Sequence, residues 1–296
     1  MSGLSRELLA DIRRIEIHTR RLANQQMAGH YQSVFKGRGM TFDEVRQYIP
    51  GDDPRFIDWN VTARTGEPHV KIYTEERELT VQVMIDLSGS MAFGALGSEK
   101  RRLAAKLAAV MAFSAIGNGD RVGLISFSDQ IERHVPPAKG RTHVLRLLDE
   151  ILRFDPVGRG TDLEGALNFV GRINKRRAVV LLISDFLSDP ARYERALKVT
   201  ARRHDLIPVV LSDPRELELP RELGLVRLDG LEGEGARVFD LSFGGATRYR
   251  AAQQQARAAH LDQFRRAGIT PVEVSTESRD YAKPLVNYFQ LRARRG

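Results

Sequence analysis

The chain has 296 residues, of which 42% are hydrophobic and 28% charged, an ordinary composition for a globular protein. It contains no cysteine, which excludes disulfide bonds, thiolate metal sites and cysteine nucleophiles. Most of the net charge of +8 comes from residues 246–296, which hold 10 basic and 4 acidic residues. No aromatic-rich motif or zinc finger accompanies this segment, so we interpret it as a solvated helix end, and nucleic acid is not the expected partner.

The sequence offers no candidate membrane span or secretory signal. The uncharged run between Lys106 and Asp120 is too short and too mixed to cross a bilayer. The N-terminal stretch "MSGLSRELLADIRRIEIHTRR" carries charges throughout and lacks an apolar core. These features predict a cytoplasmic protein without a membrane segment.

Residues 1–78 are predicted to form an N-terminal extension that precedes a larger domain over residues 79–296. Apolar residues recur at helical spacing within residues 4–28. Between Gly37 and Glu78, turn signals alternate with short pieces such as "HVKIYTE", a pattern typical of hairpin strands. The extension is therefore expected to contain a helix and a β-hairpin.

The stretch "YIPGDDPRFIDW" within this extension allows two interpretations. A second acidic metal site could use its three aspartates, Asp52, Asp53 and Asp58. The interpretation we favour is structural. It predicts a turn at Pro50–Gly51, a Trp59 side chain packed on the sheet, and ion pairs between the aspartates and two arginines, Arg55 and Arg64.

From residue 79 onward, predicted strands and helices alternate. The strands are predicted over residues 79–86, 121–128, 176–186, 205–213 and 269–276, with a short edge piece, "IERHVPP". The helices are predicted over residues 98–117, 141–154, 161–174, 189–204 and 246–268. Continuous apolar strands between helices predict an α/β fold with a doubly wound, mostly parallel sheet covered on both faces. Such sheets bind ligands beyond the carboxyl ends of their strands.

The first predicted strand of this domain ends in a carboxylate followed by two hydroxyls, in "MIDLSGSMAFG". These residues are Asp86, Ser88 and Ser90. The chain has no G-x-x-x-x-G-K-[ST] phosphate loop, no H-E-x-x-H and no G-x-S-x-G, so the serines lack the setting of a hydrolase nucleophile. What remains is a group of oxygen donors, which hard divalent cations such as Mg²⁺ prefer.

Two further residues are candidates to complete a cation site from other strand ends: Thr161 in "GRGTDLEGAL" and Asp185 in "LLISDF". Each candidate also has a purely structural explanation. Thr161 could cap a helix through the capping box that it forms with Glu164, and Asp185 could simply end its strand in a turn. Ser88 and Ser90 could cap the following helix. Taken together at one sheet edge, the five residues favour a metal site.

This combination resembles the metal-ion-dependent adhesion site of the von Willebrand factor A fold. The match assigns Asp86, Ser88 and Ser90 to the first loop, Thr161 to the second and Asp185 to the third. A second resemblance covers residues 37–78, which are similar to the segment that precedes a von Willebrand A-like domain in bacterial proteins of the domain of unknown function 58 family.

The resemblance implies a binding protein, not an enzyme. In such sites an acidic residue of a protein partner fills an open position on Mg²⁺, with Mn²⁺ or Ca²⁺ as other options, and related bacterial proteins work as adaptors beside MoxR-type AAA+ ATPases. Two alternatives stay open at this point. One is a Mg²⁺-dependent phosphohydrolase that uses the same oxygens, and the other is a nucleic-acid binder that uses the basic C-terminal segment.

Overall fold

The computed structural model describes residues 12–16, 19, 22–23, 27–35, 41–74, 78–92, 99–217, 219, 224–229, 235–242 and 244–294. Its strands are β1 (Thr41–Gln47), β2 (His69–Thr74), β3 (Thr80–Asp86), β4 (Arg121–Phe127), β5 (Ile131–Ala138), β6 (Val179–Ser184), β7 (Asp205–Ser212), β8 (Leu225–Asp229), β9 (Ala236–Asp240) and β10 (Val272–Ser275). Its helices are α1 (Ala28–Phe35), α2 (Trp59–Thr65), α3 (Glu99–Gly117), α4 (Arg141–Arg153), α5 (Leu163–Ile173), α6 (Pro190–Arg203), α7 (Pro214–Leu217), α8 (Gly245–Arg266) and α9 (Lys283–Ala293).

A six-stranded sheet in the order β10-β7-β6-β3-β4-β5 forms the centre of the fold. Every neighbouring pair is parallel except β4 and β5, which are antiparallel, so β5 is the edge strand that "IERHVPP" predicts. The predicted α/β fold with a mostly parallel sheet is confirmed. From β3 the chain adds β4 on one side and later β6 on the other, which makes the gap between β3 and β6 the point where the winding direction switches.

Apolar cores cover both faces of this sheet, because side chains of successive strand residues point to opposite faces. In β3, Val83 and Ile85 join the core built with α3, α4 and α9, whereas Met84 joins the core built with α5, α6 and α8. Helix α3 is buried along most of its length, which explains its alanine-rich sequence. The strands are thus fixed from both sides, and their carboxyl ends are held in register.

The N-terminal segment packs against the C-terminal helix and α3. The Tyr31 hydroxyl donates to Asp120 Oδ2 at 2.6 Å, and the Phe35 ring lies 5.9 Å from that of Phe289. Residues 12–16, 19 and 22 are helical, while 4–11 of the predicted helix lie outside the described residues. The domain boundary at residue 78 remains a prediction.

The predicted hairpin strands are present as the antiparallel pair β1 and β2. The turn at Pro50–Gly51 is also present, since the Asp52 amide donates to the Ile49 carbonyl at 3.0 Å. The prediction that Trp59 packs on the sheet is wrong, because this residue is 70% exposed at the start of α2.

The ion pairs of this segment differ in part from the prediction. Arg55 pairs with Asp53 as expected. Asp52, however, pairs with Arg46, and Asp58 pairs with Lys71 while its carboxylate caps α2 through the amides of residues 60 and 61. All three aspartates therefore have structural partners, which supports the structural interpretation over a second metal site.

Across the described ranges, no helix has the combination of length and apolarity that a membrane span requires.

Candidate metal centre

The two predicted carboxylates lie at the winding switch of the sheet. Asp86 is the last residue of β3, and Asp185 directly follows the last residue of β6. Because β3 and β6 are parallel neighbours, their carboxyl ends lie side by side at the same end of the sheet. Both aspartates are buried, with exposures of 0% and 6%.

Hydrogen bonds to Asp86 shape the first loop. Its Oδ1 accepts from the Ser88 amide at 2.8 Å, and its Oδ2 accepts from the Ser184 hydroxyl at 2.6 Å. The first bond closes a tight turn after the strand. The turn leads into a short 3₁₀ segment, Gly89–Ala92, and leaves the Ser88 and Ser90 hydroxyl oxygens 3.1 Å apart. Three of the five predicted residues therefore form one buried group of oxygens.

The helix-cap explanation for these serines does not hold. Helix α3 begins at Glu99, nine residues beyond Ser90, so neither serine lies at its first turn. The hydroxyls are buried at exposures of 1% and 3%.

The loop that contains Thr161 is hydrogen-bonded to the first loop. The Gly89 amide donates to the Arg159 carbonyl at 2.8 Å, and the Asp162 amide donates to the Ser128 carbonyl at 2.8 Å. Asp162, rather than Thr161, is the N-cap of α5, since its carboxylate accepts from the Gly165 amide. The N-cap position is therefore one residue later than the capping-box interpretation predicts, and Thr161 itself is half-buried.

Lys100, in the first turn of α3, is a further residue of this site that was not predicted from the sequence. Its ammonium group is fully buried, donates to Asp185 Oδ2 at 2.8 Å and also pairs with Glu216 in α7. It approaches the Ser90 carbonyl at 3.4 Å as well. No local signal in the sequence marks Lys100, because its two acidic partners, Asp185 and Glu216, lie far along the chain.

The charges of the site favour the binding of another cation. Asp185 and Glu216 pair with the ammonium of Lys100, and Asp86 lies close to Asp185, so these four groups carry a net charge of −2 when all are ionised. Burial, and next the charge of Asp185, raises the pKa of Asp86 to about 7, against the hydrogen bonds from Ser184 and Ser88. Burial by itself would lower the pKa of Lys100, but Asp185 and Glu216 outweigh it and raise that pKa.

The backbone after Asp185 is strained. Phe186 has a φ of 54°, in the left-handed region that bulky residues avoid at a cost of about 1 to 3 kcal/mol. Its amide donates to the Ser184 hydroxyl at 3.0 Å, and its buried ring packs edge-on against Phe264 at 5.1 Å. Packing thus holds the turn that presents Asp185 at the sheet edge.

These residues fit a divalent cation. The donors are carboxylate and hydroxyl oxygens, the ligand type of Mg²⁺, Mn²⁺ and Ca²⁺. Within the described part of the chain, no three histidine, aspartate or glutamate side chains form a metal-binding group of their own. A cation here would therefore depend on the hydroxyls of Ser88, Ser90 and Thr161 in addition to carboxylates, and it would offset the net charge of −2.

A third buried carboxylate at this end of the sheet, Asp213, has a structural role after β7. It accepts two hydrogen bonds from the Arg215 side chain and one from the Thr276 hydroxyl at 2.8 Å. The bond from Arg215 is the main cause that lowers the pKa of Asp213 to about 2, and burial opposes it. Asp213 thereby joins β7, α7 and the end of β10.

This shift predicts a stability change in acid. A carboxylate whose pKa is lowered on folding stabilises the fold above its unfolded pKa, and the contribution is lost as the pH falls towards about 2. We expect the wild type to lose about 1 kcal/mol more than Asp213→Asn between about pH 5 and pH 3 in urea unfolding. Asp155→Asn, at an exposed position, should lose as much as the wild type. Equal losses in wild type and Asp213→Asn would contradict this role.

Comparisons with known proteins place the chain in a family. Residues 44–262 match the family described as "Protein of unknown function DUF58", which covers more than half of the chain. The chain belongs to the DUF58 family. All five predicted site residues, together with Lys100 and Glu216, lie inside the matched region.

Relatives in mycobacteria cover nearly the whole chain. The uncharacterised protein Rv1480 of Mycobacterium tuberculosis is 32% identical over 290 residues, which is 97% of this chain and 90% of that protein. A shorter relative, the uncharacterised protein MAV169 of Mycobacterium avium, is 31% identical over 54% of this chain and 94% of its own length.

Two solved structures show partial similarity in shape. BatB from Bacteroides thetaiotaomicron has a TM-score of 0.43 at 17% identity and covers 73% of this chain and 99% of its own. The vWF domain of the type V pili tip protein Mfa5 from Porphyromonas gingivalis has a TM-score of 0.35 at 16% identity and covers 74% of this chain and 94% of its own.

Proposed function

We propose that this DUF58 protein is a non-enzymatic protein-binding module that depends on a divalent cation, with Mg²⁺ as the first candidate. The observation that carries the proposal is the oxygen group at the β3–β6 switch: Asp86 at one strand end, Asp185 at the next, and the Ser88 and Ser90 hydroxyls 3.1 Å apart. When bound, the cation would supply positive charge to which an acidic side chain of a partner can attach.

The residues of the site would have different roles toward the cation. Ser88, Ser90 and Thr161 would offer neutral oxygens to the cation, which leaves much of its charge available to a partner. Asp86 would contribute negative charge and fix the first loop through its bond to the Ser88 amide. Asp185 would hold Lys100 and contribute charge directly or through water.

The partner is proposed to be a protein that presents an acidic residue. The resemblance to von Willebrand A-like proteins of this family suggests a MoxR-type AAA+ ATPase, with the chain acting as its adaptor or co-chaperone. This suggestion depends on the resemblance, whereas the acidic chemistry of the partner follows from the site.

The double variant Ser88→Ala, Ser90→Ala tests the proposal. It removes two hydroxyls that lie against each other and leaves Asp86 and its bond to the residue 88 amide in place, so the fold should persist. We expect purified MoxR-type ATPase from the same organism to bind the wild type in Mg²⁺ but not in EDTA, and to bind the double variant in neither. Biolayer interferometry measures all four conditions.

The matched control is Ser275→Ala, Ser278→Ala, which removes two serine hydroxyls near β10. This control should bind like the wild type. Cation-dependent binding that survives in the Ser88→Ala, Ser90→Ala variant would contradict the proposed site. Failure of the wild type to bind would contradict the choice of partner.

A further inference from the structure

A second candidate site lies at the amino ends of the parallel strands, opposite the metal centre at their carboxyl ends. A cavity of about 740 Å³ opens beside Asp205, the first residue of β7, and therefore at the amino ends of the parallel strands. The end of α6, the end of α8 and part of α9 form its walls. Its volume lies in the range of small-molecule sites.

The charge of this cavity is strongly positive. Five of its lining residues are cationic, namely Arg177, Lys198, Arg202, Arg266 and Arg292. Among the described residues that line it, Asp205 is the only acidic one, and Arg292 already engages it through bonds of 2.7 and 2.9 Å. Lys198 pairs with Glu194, which does not line the cavity, and the lining offers Arg177, Arg202 and Arg266 no further carboxylate.

A buried hydrogen-bond donor at the same place has no partner. His204, 1% exposed, lines the cavity, and its Nδ1 accepts from the Ala178 amide at 3.3 Å. Burial, followed by the charges of Arg203 and Arg177, lowers the pKa of His204, so the ring is neutral and carries its proton on Nε2. This Nε2–H is buried and makes no hydrogen bond within the described structure.

An unpaired buried donor is costly and calls for an acceptor. His204 also lines a neighbouring cavity of about 480 Å³, between α5 and α6, where Arg172 and Arg203 add further positive charge. Cationic side chains therefore line both cavities beside His204. An oxyanion with several charged oxygens matches such a group of guanidinium donors.

We propose that the 740 Å³ cavity binds a phosphate-bearing small molecule, held by the guanidinium groups of Arg177, Arg202 and Arg266 beside the buried His204. This site is separate from the cation site and goes beyond the proposed function. The fold would then have one ligand site at the carboxyl ends of the parallel strands and another at their amino ends.

Thermal melts of the full chain in EDTA test the proposal, because EDTA removes divalent cations and so prevents any contribution from the cation site. The probes are pyrophosphate and ATP, compared with sodium chloride of equal ionic strength. We expect both probes to raise the melting temperature of the wild type. The variant Arg202→Glu, Arg266→Glu should bind them at least about tenfold more weakly, since it reverses two charges that line the cavity.

The control variant Arg195→Glu, Arg248→Glu makes the same charge change on the same two helices, α6 and α8, outside the cavity. It should bind the probes like the wild type. Equal weakening in both variants would show diffuse attraction to a basic surface and overturn the proposal. So would the absence of any shift with either probe.

Two further measurements test whether the phosphate group belongs to a nucleic acid or a lipid instead of a small molecule. A short single-stranded oligonucleotide and vesicles that contain a phosphoinositide are tested against the same two variants. Binding of either of these without binding of pyrophosphate or ATP would overturn the assignment of a small molecule. We expect pyrophosphate and ATP to bind and the control variant to retain that binding.

Discussion

Replacing Lys100 with methionine is expected to lower the free energy of unfolding by about 3 to 5 kcal/mol when no divalent cation is present. The Lys100 ammonium is fully buried and pairs with both Asp185 and Glu216. Methionine keeps much of the length and apolar volume of lysine but removes the positive charge. Two buried carboxylates would then repel each other without a partner, which is the costly way to break a buried ion pair.

Urea unfolding in EDTA measures this loss, with Lys175→Met as the control because Lys175 is exposed at the surface. The control should unfold like the wild type. Mg²⁺ should then stabilise Lys100→Met more than it stabilises the wild type, since the cation would replace the missing positive charge. A Lys100→Met protein as stable as the wild type in EDTA would contradict the ion-pair network described for this site.

Asp86→Asn is expected to weaken divalent cation binding by at least about 100-fold, because loss of even an outer partner of a metal ligand costs about 10- to 100-fold. The amide can still accept from the Ser88 amide and can donate to the Ser184 hydroxyl, so both bonds of Asp86 have a replacement. The substitution also removes a buried negative charge beside Asp185. We therefore expect the metal-free variant to be at least as stable as the wild type.

Isothermal titration with Mg²⁺ and Mn²⁺ measures the affinity, and urea unfolding in EDTA measures the stability. The control is Asp149→Asn, which removes a charge on α4 that pairs with Arg153. It should keep the wild-type affinity for the cation. Unfolding of Asp86→Asn would point to a purely structural role for this carboxylate, and wild-type affinity in the variant would place the cation elsewhere.

The sheet was predictable because each central strand is recognisable from its own residues. β3, β6 and β7 are almost wholly buried and read as continuous apolar runs, and three of the helices between them, α4, α5 and α6, show amphipathic spacing. The positions of Asp86 and Asp185 followed from those strand ends. Their proximity, however, depends on β3 and β6 being neighbours, which is a property of the winding and not of either segment.

Other features depend on contacts that no local pattern reveals. Lys100 looks like an ordinary helical lysine until α7 and the end of β6 place two carboxylates around it. In "GTDLEG", Thr161 and Asp162 are both good capping residues, and only the position of α5 decides that Asp162 caps it. Trp59 is apolar, but the small sheet of the N-terminal extension offers it no cover.

Elements near the C-terminus were also missed. Helix α9 has Pro284 in its first turn, and its buried Leu285, Val286 and Phe289 become an apolar face only against α1 and the sheet. The β8–β9 pair lies in a segment that looked irregular, and it pairs only with itself. Short elements of this kind gain their stability from tertiary packing rather than from their own propensities.

The most direct test of the account is a thermal melt of the wild type in EDTA and across a Mg²⁺ titration, with Asp86→Asn measured alongside. For a site with a Kd of about 1 mM, roughly 10 mM Mg²⁺ adds about 1.4 kcal/mol. For a chain of this size that corresponds to a rise in Tm of about 3 °C. We expect this rise in the wild type and none in Asp86→Asn. A wild type whose Tm does not respond to Mg²⁺, Mn²⁺ or Ca²⁺, or a variant that responds equally, would contradict a cation site at the β3–β6 switch.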